Sequence, residues 1–208
     1  MARKRLTQVF PFLLPLRVWQ KKSSFYFSMW FDGRRYSRVV ESGKYPFCIF
    51  DMRAALINPA TGFDMIYQEN KVHNLKLAAG TLNGLLIKPG ETFSFWQRVR
   101  HAAKTVPYRD GLILADGKLT TAPGGGLCQM SNMLYWCFLN SPLAITERHP
   151  HSVKPFPTPG MPEGADATVY EGWRDLKAKN NTDMILQIGI SFDAESILVG
   201  LYAKERLQ

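Results

Sequence analysis

The stretch that decides the fold is Pro123-Gly124-Gly125-Gly126-Leu127-Cys128-Gln129-Met130-Ser131-Asn132-Met133-Leu134-Tyr135-Trp136. Its three consecutive glycines permit positive φ angles and the close approach of another backbone or of a ligand. The apolar residues that follow predict a helix over 127–139. Cys128 then falls in the first turn of this helix, where unpaired N–H groups and the helix dipole stabilise a thiolate.

The predicted helix is mostly apolar but carries one polar stripe. At 3.6 residues per turn its polar side chains share one side of the helix, and they are Cys128, Ser131, Asn132 and Tyr135. A helix that is apolar over the rest of its surface is buried in the domain. We therefore expect a buried helix whose polar stripe faces something polar, and its residues are candidates for ligand binding.

Strand-like and helical patterns flank this helix. A second helix is predicted over about 70–84, because apolar residues recur there at helical spacing. Strand-like runs precede it, including one at Phe25–Phe31, and further runs follow the central helix, including one at 167–170. This order predicts an α+β fold with a mostly antiparallel sheet packed on two helices, at about 70–84 and 127–139.

Positive charge is concentrated at the N-terminus. The 208 residues carry a formal net charge of +9, which by itself suggests nucleic acid or an anionic surface as partner. Residues 1–38 hold nine basic residues and one acidic residue, so +8 of this charge lies there. We expect a basic N-terminal arm and first strand over 1–38 and a single domain over 39–208. No nucleic-acid-binding motif is present, so nucleic acid is not an expected partner.

The first 22 residues mix basic side chains with apolar ones. Peripheral contact of residues 1–22 with an anionic membrane is one expectation, and packing of the apolar side chains on the body is the other. The apolar run Phe10–Leu16 is seven residues long, contains two prolines and is not followed by a cleavage site. We expect no cleaved signal peptide and no transmembrane helix, and hence a cytoplasmic protein or one peripheral to the membrane.

Two further motifs provide partners for Cys128. Arg148-His149-Pro150-His151 follows the central helix, and Asp166 comes 15 residues after His151. Cysteine at a helix start, then histidine and a carboxylate, is the chain order of transglutaminase-like and other papain-related cysteine enzymes. This order predicts Cys128 as nucleophile, His151 as base and Asp166 as the residue that orients the base. Gln129 or the backbone N–H groups at the helix start are the expected oxyanion donors.

Two other kinds of site remain open. His149 and His151 point to opposite sides of an extended segment, so at most one of them meets Cys128. A metal-dependent site would need Cys128, His151 and Asp166 around one ion, but no CxxC or HExxH spacing supports a metal, and no cofactor is expected. A non-catalytic module would instead bind an anionic or peptide fragment through Gly124, Gly125, Gly126, Arg148, His149, Phe93, Phe95 and Trp96.

The sequence resembles the VanW family. The matching stretches run in family order over about 68–180, and they are Pro89–Phe95, Gly124–Gln129, Arg148–Ser152, Asp166–Val169 and Asp175–Lys177. The resemblance implies a role in glycopeptide resistance and cell-wall biology, with a cell-wall precursor or peptidoglycan-related peptide as partner, but no established reaction. Our first hypothesis is a cysteine-dependent enzyme that transfers an acyl group or cleaves an amide in such a peptide.

Overall fold

A computed structural model describes residues 10–115, 117–151, 162 and 164–206. The helices of this part are α1 (Leu14–Phe31), α2 (Ile66–Leu82), α3 (Phe95–Val99) and α4 (Leu127–Leu139), with 3-10 turns at Pro11–Leu13 and Pro59–Thr61. The strands are β1 (Arg35–Tyr36), β2 (Phe47–Ala55), β3 (Leu86–Ile87), β4 (Glu91–Ser94), β5 (Asp110–Ala115), β6 (Lys118–Pro123), β7 (Leu143–Glu147), β8 (Lys177–Asn180), β9 (Leu186–Phe192) and β10 (Ser196–Ala203).

The strands form two four-stranded sheets and one hairpin. One sheet has the order β1-β4-β8-β7, the other has the order β2-β10-β9-β3, and β5 pairs with β6. These pairings are antiparallel except that of β1 with β4, which is parallel. The α+β class with mostly antiparallel strands is therefore confirmed, although the strands are divided between two sheets.

The two predicted helices provide the helical side of the core. Helix α4 has the predicted bounds and packs on β10, β7 and β2, while α2 packs on β5 and β9. Helix α2 begins four residues before the predicted start, because the Asp64 carboxylate accepts a hydrogen bond from the N–H of Ile66 at 3.0 Å. It ends at Leu82, since Asn83 has extended backbone angles.

The strand predicted at Phe25–Phe31 is wrong, because these residues complete α1. Phenylalanine and tyrosine favour strands, but packing overrides this weak preference. Tyr26 donates a hydrogen bond to the Glu171 carboxylate at 2.8 Å, and Met29 is buried beside it. The residues of α1 that face the protein recur at helical spacing, and they are Val18, Lys22, Phe25, Tyr26 and Met29.

The strand predicted at 167–170 is also wrong. Of these residues, only Tyr170 forms a bridge, an isolated one with Arg174. The first strand within the predicted N-terminal region is the two-residue β1, and residues 1–9 of the predicted arm lie outside the described residues. Within the described ranges, no helix combines the length and apolar character that a membrane span requires. The division into an arm and a single domain stays a prediction.

Candidate active site

The glycine loop seats the first turn of α4 by packing against other backbone. A Cβ atom on Gly125 would lie 2.1 Å from the carbonyl carbon of Gly111 in β5. Gly126, the residue before α4, has φ of +93°, and a Cβ atom there would lie 2.1 Å from Cγ of Lys71. Only glycine fits these two positions. The close packing of Gly125 and Gly126 positions the helix, whereas a Cβ atom on Gly124 would make only ordinary contacts, and ligand binding by the loop stays a prediction.

Asn74 of α2 holds the loop in place. Its side-chain amide donates to the carbonyl groups of Arg109 at 2.8 Å and Gly125 at 3.0 Å, and its oxygen accepts from the N–H of Arg109 at 2.9 Å. Asn74 is fully buried, so these bonds satisfy groups that water does not reach. Sequence reasoning missed this residue, because its partners lie 35 and 51 positions away along the chain.

The structure brings Cys128, His151 and Asp166 together. The backbone N–H of His151 donates to the Asp166 carboxylate at 2.8 Å, and the ring nitrogen Nδ1 bonds to the same oxygen. Because Nδ1 is occupied by Asp166, Nε2 is the ring nitrogen left for the thiol. The His151 imidazole lies near the Cys128 thiol, closely enough that each side chain shifts the pKa of the other. The spatial order is therefore thiol, imidazole, carboxylate.

These contacts change the ionisation of the thiol and the imidazole. Burial alone raises the pKa of Cys128, but the neighbouring His151, together with Val169 and Thr168, outweighs it and holds this pKa below its ordinary value. Burial likewise lowers the pKa of His151, but Cys128 and Asp166 outweigh it, so the pKa of His151 is raised. Both shifts favour a thiolate beside an imidazolium, the reactive form of a catalytic cysteine.

Asp166 is held in place by Arg148. Asp166 is buried, and Arg148 donates to its carboxylate at 3.3 Å and to its backbone carbonyl at 2.6 Å. Burial raises the pKa of Asp166, but the bonds from His151 and the charge of Arg148 outweigh it and keep this pKa below its usual range. The guanidinium also lies over the ring of Tyr135, 5.1 Å from its centroid. Arg148, expected to bind an anionic ligand, thus positions Asp166.

The polar stripe of α4 faces the segment that follows Asp166. The Ser131 hydroxyl donates to the carbonyl of Ala167 at 2.6 Å, and the Asn132 amide oxygen accepts from the N–H of Ala167 at 2.8 Å. Both side chains are buried. The backbone of Ala167 is therefore paired with side chains of α4 instead of a neighbouring strand, which explains why no strand forms here.

Thr168 is a site residue that sequence reasoning missed. Its hydroxyl oxygen lies 3.6 Å from the sulfur of Cys128, which also lies 3.9 Å from the carbonyl oxygen of Val169. The N–H of Thr168 donates to the carbonyl of His149 at 2.8 Å, so this extended segment is tied to the histidine segment. The available signal was that Thr168 lies two residues after Asp166, on the same side of an extended chain.

Gln129 and His149 make other contacts. The Gln129 amide donates to the carbonyl of Ala55 at 2.9 Å, so it is engaged at the end of β2 rather than at the thiol. The ring of His149 lies 3.1 Å from the carboxylate of Glu147. His151 is therefore the histidine that meets Cys128, as the opposite directions of the two side chains require.

The aromatic residues expected to line a binding surface are in the core. Phe93 and Phe95 are fully buried and Trp96 is 7% exposed. Phe93 packs edge-on against Phe138 of α4, with ring centroids 5.0 Å apart. The expected role is corrected for a physical reason: the residues of β4 are buried on both faces of the strand, and Phe95 and Trp96 lie on the buried side of α3.

The donor geometry does not favour a metal site. In the described ranges, no three His, Cys, Asp or Glu side chains are grouped so that they could hold a metal ion. The two carboxylate oxygens of Asp166 are engaged by His151 and Arg148. A metal at Asp166 would have to displace these partners, and the metal-dependent alternative therefore has no support from the arrangement of the donors.

The fold and the site define an α+β protein with a cysteine, a histidine and an aspartate assembled at the N-terminal end of a buried helix. The sequence profile of the family described as "VanW like protein" matches residues 70–202, which include all three residues. The chain belongs to this family, which confirms the resemblance seen in its motifs.

Two relatives extend this match beyond the family profile. The vancomycin B-type resistance protein VanW of Enterococcus faecalis (strain ATCC 700802 / V583) is 58% identical over 210 residues, covering 100% of this chain and 76% of that protein. The uncharacterized protein YoaR of Bacillus subtilis (strain 168) is 28% identical over 185 residues, covering 87% of this chain and 60% of that protein. No solved structure shows a significant match to the chain.

Proposed function

We propose that the protein contributes to vancomycin resistance as a cysteine-dependent acyltransferase or amide hydrolase acting on a peptidoglycan-related peptide or precursor. Membership of the VanW family and the similarity to VanW of Enterococcus faecalis support the role in resistance. One observation carries the chemistry. The Cys128 thiol lies beside the His151 imidazole, which is in turn held by the buried Asp166 carboxylate.

In the first half-reaction the Cys128 thiolate attacks the amide carbonyl carbon, and an electron pair moves onto the carbonyl oxygen. The N–H of Cys128 has no acceptor among the described residues and lies in the first turn of α4, so it is suited to stabilise this oxyanion. When the carbon–nitrogen bond breaks, His151 gives its proton to the leaving amine. The products are a thioester on Cys128 and a free amine.

In the second half-reaction His151 takes a proton from the attacking group. Attack by water breaks the thioester, releases a carboxylic acid and restores the thiolate–imidazolium pair. Attack by an amine forms a new amide instead, which is acyl transfer. Asp166 keeps the imidazole oriented in both halves and stabilises its charged form.

Thiol reactivity tests the pair without any substrate, and Cys48 provides an internal control. Cys48 is exposed, but burial of its sulfur and the charge of Asp51 raise its pKa. At about pH 6.5, where unreactive thiols stay protonated, we expect iodoacetamide to modify Cys128 at least about ten times as fast as Cys48. Peptide mass spectrometry measures both rates in one sample. The variant His151→Ala should slow the modification of Cys128 and leave the rate of modification of Cys48 unchanged. If iodoacetamide modifies Cys48 faster than Cys128 in the parent protein, the proposed thiolate–imidazolium pair is contradicted.

Turnover is tested with the purified chain and peptides released from peptidoglycan. We expect products that gain one water or exchange an amine, and a thioester adduct on Cys128 when the reaction is stopped in acid. Cys128→Ala should lower the rate by at least about 10³-fold, as removal of a nucleophile does, while the matched Cys48→Ala should retain it. Equal rates in Cys128→Ala and the parent would eliminate the nucleophile role. Peptide binding without turnover would favour the non-catalytic binding module.

The pH profile of this turnover has a defined shape. The lowered pKa of Cys128 and the raised pKa of His151 bring the two titrations closer together, which increases the share of the thiolate–imidazolium pair at intermediate pH. The rate should rise as the pH passes the first pKa and fall as it passes the second. A rate that keeps rising into the range of a free thiol would argue against His151 as the proton donor.

A further inference from the structure

Helix α1 turns an apolar side to solvent. Its protein-facing residues leave the opposite side uncovered, and there Trp19 is 66% exposed while Trp30 and Phe31 are each 73% exposed. Leu16 and Phe27 lie on the same side and are also exposed. We call these five residues the aromatic face.

Three rings of the aromatic face, those of Phe27, Trp30 and Phe31, form a continuous patch. The Phe27 ring centroid lies 4.9 Å from that of Phe31 and 6.3 Å from that of Trp30. Exposed apolar residues that occur singly need no explanation, but a contiguous patch on a soluble surface marks an interaction site. The large aromatic side chains also provide most of the apolar area that a contact on this side would bury.

Positive charge borders the aromatic face. Arg17 and Lys21 are exposed on α1, and this helix contains no acidic residue. Directly after α1 a cleft of ≈ 380 Å³ opens beside Trp30, lined by Met29, Trp30, Arg34, Arg35, Tyr36, Arg38, Glu91 and Gln97. We call this the arginine cleft.

Two of the three arginines in the cleft have unneutralised charge. Arg34 is paired with Asp32 at 2.9 Å, whereas Arg35 and Arg38 have no ion-pair partner among the described residues. Glu91 is the acidic residue that lines the cleft, and its carboxylate accepts a hydrogen bond from the N–H of Lys88 at 3.0 Å. The cleft therefore has positive charge available for an anion.

The chemistry of this surface fits the interface of an anionic bilayer. Tryptophan and phenylalanine side chains favour the boundary between headgroups and acyl chains, and nearby basic side chains attract anionic headgroups. A second copy of the chain is a poorer occupant, because pairing the two faces would bring their basic clusters together. We propose that the aromatic face and the arginine cleft bind an anionic membrane surface, with α1 lying in the plane of the interface.

Vesicle flotation with the full chain tests this proposal. We expect at least about tenfold tighter binding to vesicles of phosphatidylcholine with phosphatidylglycerol than to phosphatidylcholine alone, and weaker binding at high salt. The double variant Trp30→Ser/Phe31→Ser should weaken binding by about tenfold or more. Phe63→Ser is the matched control, because Phe63 is an exposed aromatic residue elsewhere on the surface, and it should bind as the parent does.

Charge variants distinguish specific binding by the arginine cleft from a general effect of net charge. Arg35→Gln/Arg38→Gln should remove most of the preference for anionic vesicles, whereas Lys104→Gln/Lys118→Gln, with the same loss of charge at exposed positions outside the cleft, should retain it. Equal losses in the two double variants would overturn the proposal, as would full binding by Trp30→Ser/Phe31→Ser. A dimer that this variant abolishes, in a chain that does not bind vesicles, would show self-association instead. None of these outcomes depends on the chemistry at Cys128.

Discussion

Helices α4 and α1 differ in what their most distinctive side chains face. Helix α4 is apolar over most of its surface and turns its one polar stripe inward, onto the backbone of Ala167. Helix α1 turns apolar rings outward, and its protein-facing side includes Lys22 and Tyr26, both bound to Glu171. A stripe in a sequence thus shows which residues share a side of a helix. What that side faces is decided by partners far away along the chain.

The largest effect expected from this comparison is on the free energy of unfolding. Leu134 in α4 is fully buried, so Leu134→Ala should lower this free energy by about 2–5 kcal/mol. The same substitution in the aromatic face, Leu16→Ala, should change it by less than about 0.5 kcal/mol, because Leu16 is exposed. Urea unfolding monitored by circular dichroism measures both. Similar losses in the two variants would mean that α1 is covered in solution.

The next effect concerns the buried carboxylate of Asp175, which contacts the start of α3. This helix in turn contacts Met29 of α1 through Gln97. Asp175 is fully buried and accepts hydrogen bonds from Ser94 at 2.6 Å and the N–H of Trp96 at 3.1 Å, yet burial raises its pKa to about 6. Because folding raises the pKa of Asp175, the folded state favours its protonated carboxyl group. The contribution of Asp175 to the free energy of unfolding is therefore complete below about pH 4 and is lost as the pH rises through about 6.

Asp175→Asn should remove this pH dependence. Relative to the parent protein, the free energy of unfolding of the variant should rise by up to about 3 kcal/mol between about pH 4 and pH 7. Urea unfolding of both proteins across this range gives the difference. A difference that stays constant with pH would show that Asp175 is ionised to the same extent in the folded and unfolded chains.

A smaller effect is expected at the loop that seats α4. Gly125→Ala places a methyl group against the backbone of Gly111 and should lower the free energy of unfolding by about 1–3 kcal/mol. Gly80→Ala is the control: Gly80 is in α2 with open space around its Cα, so alanine should stabilise by about 0.5–1 kcal/mol. If Gly125→Ala leaves stability unchanged, the loop has room that a ligand could use.

The smallest effect is expected from the aromatic face itself. Trp30→Ser/Phe31→Ser should shift the free energy of unfolding by less than about 0.5 kcal/mol, because both side chains are mostly exposed. A thermal unfolding scan of the lipid-free protein checks this. A large loss of stability would mean that these rings pack within the folded chain, and that weaker vesicle binding reports unfolding.

The parts of the fold that the sequence predicted are those with a strong local signal. Helix α4 has its predicted bounds because apolar residues recur at helical spacing from the glycine loop to Leu139. Helix α1 was missed, because the strand preference of Phe25, Tyr26 and Phe27 hid a helical stripe that only packing on Glu171 makes favourable.

The candidate site likewise contains residues that the sequence predicted and residues that it did not. Chain order sufficed to select Cys128, His151 and Asp166, since a helix start and two following segments are local features. The contacts of Thr168 with the thiol and of Arg148 with Asp166 were not predictable, because they join residues 40 and 18 positions apart. Burial of Phe93 was missed for a related reason, since a four-residue strand is too short to show from its own sequence that both of its faces are covered.

The six residues from Asp166 to Glu171 contact both the candidate site at the start of α4 and helix α1. Asp166 orients the imidazole, Thr168 contacts the thiol, and Glu171 holds Lys22 and Tyr26 of α1. The segment therefore connects α1, which carries the proposed membrane-binding surface, to the sulfur of Cys128. Only Val169 and Tyr170 separate Glu171, which is bound to α1, from Thr168, which contacts the thiol.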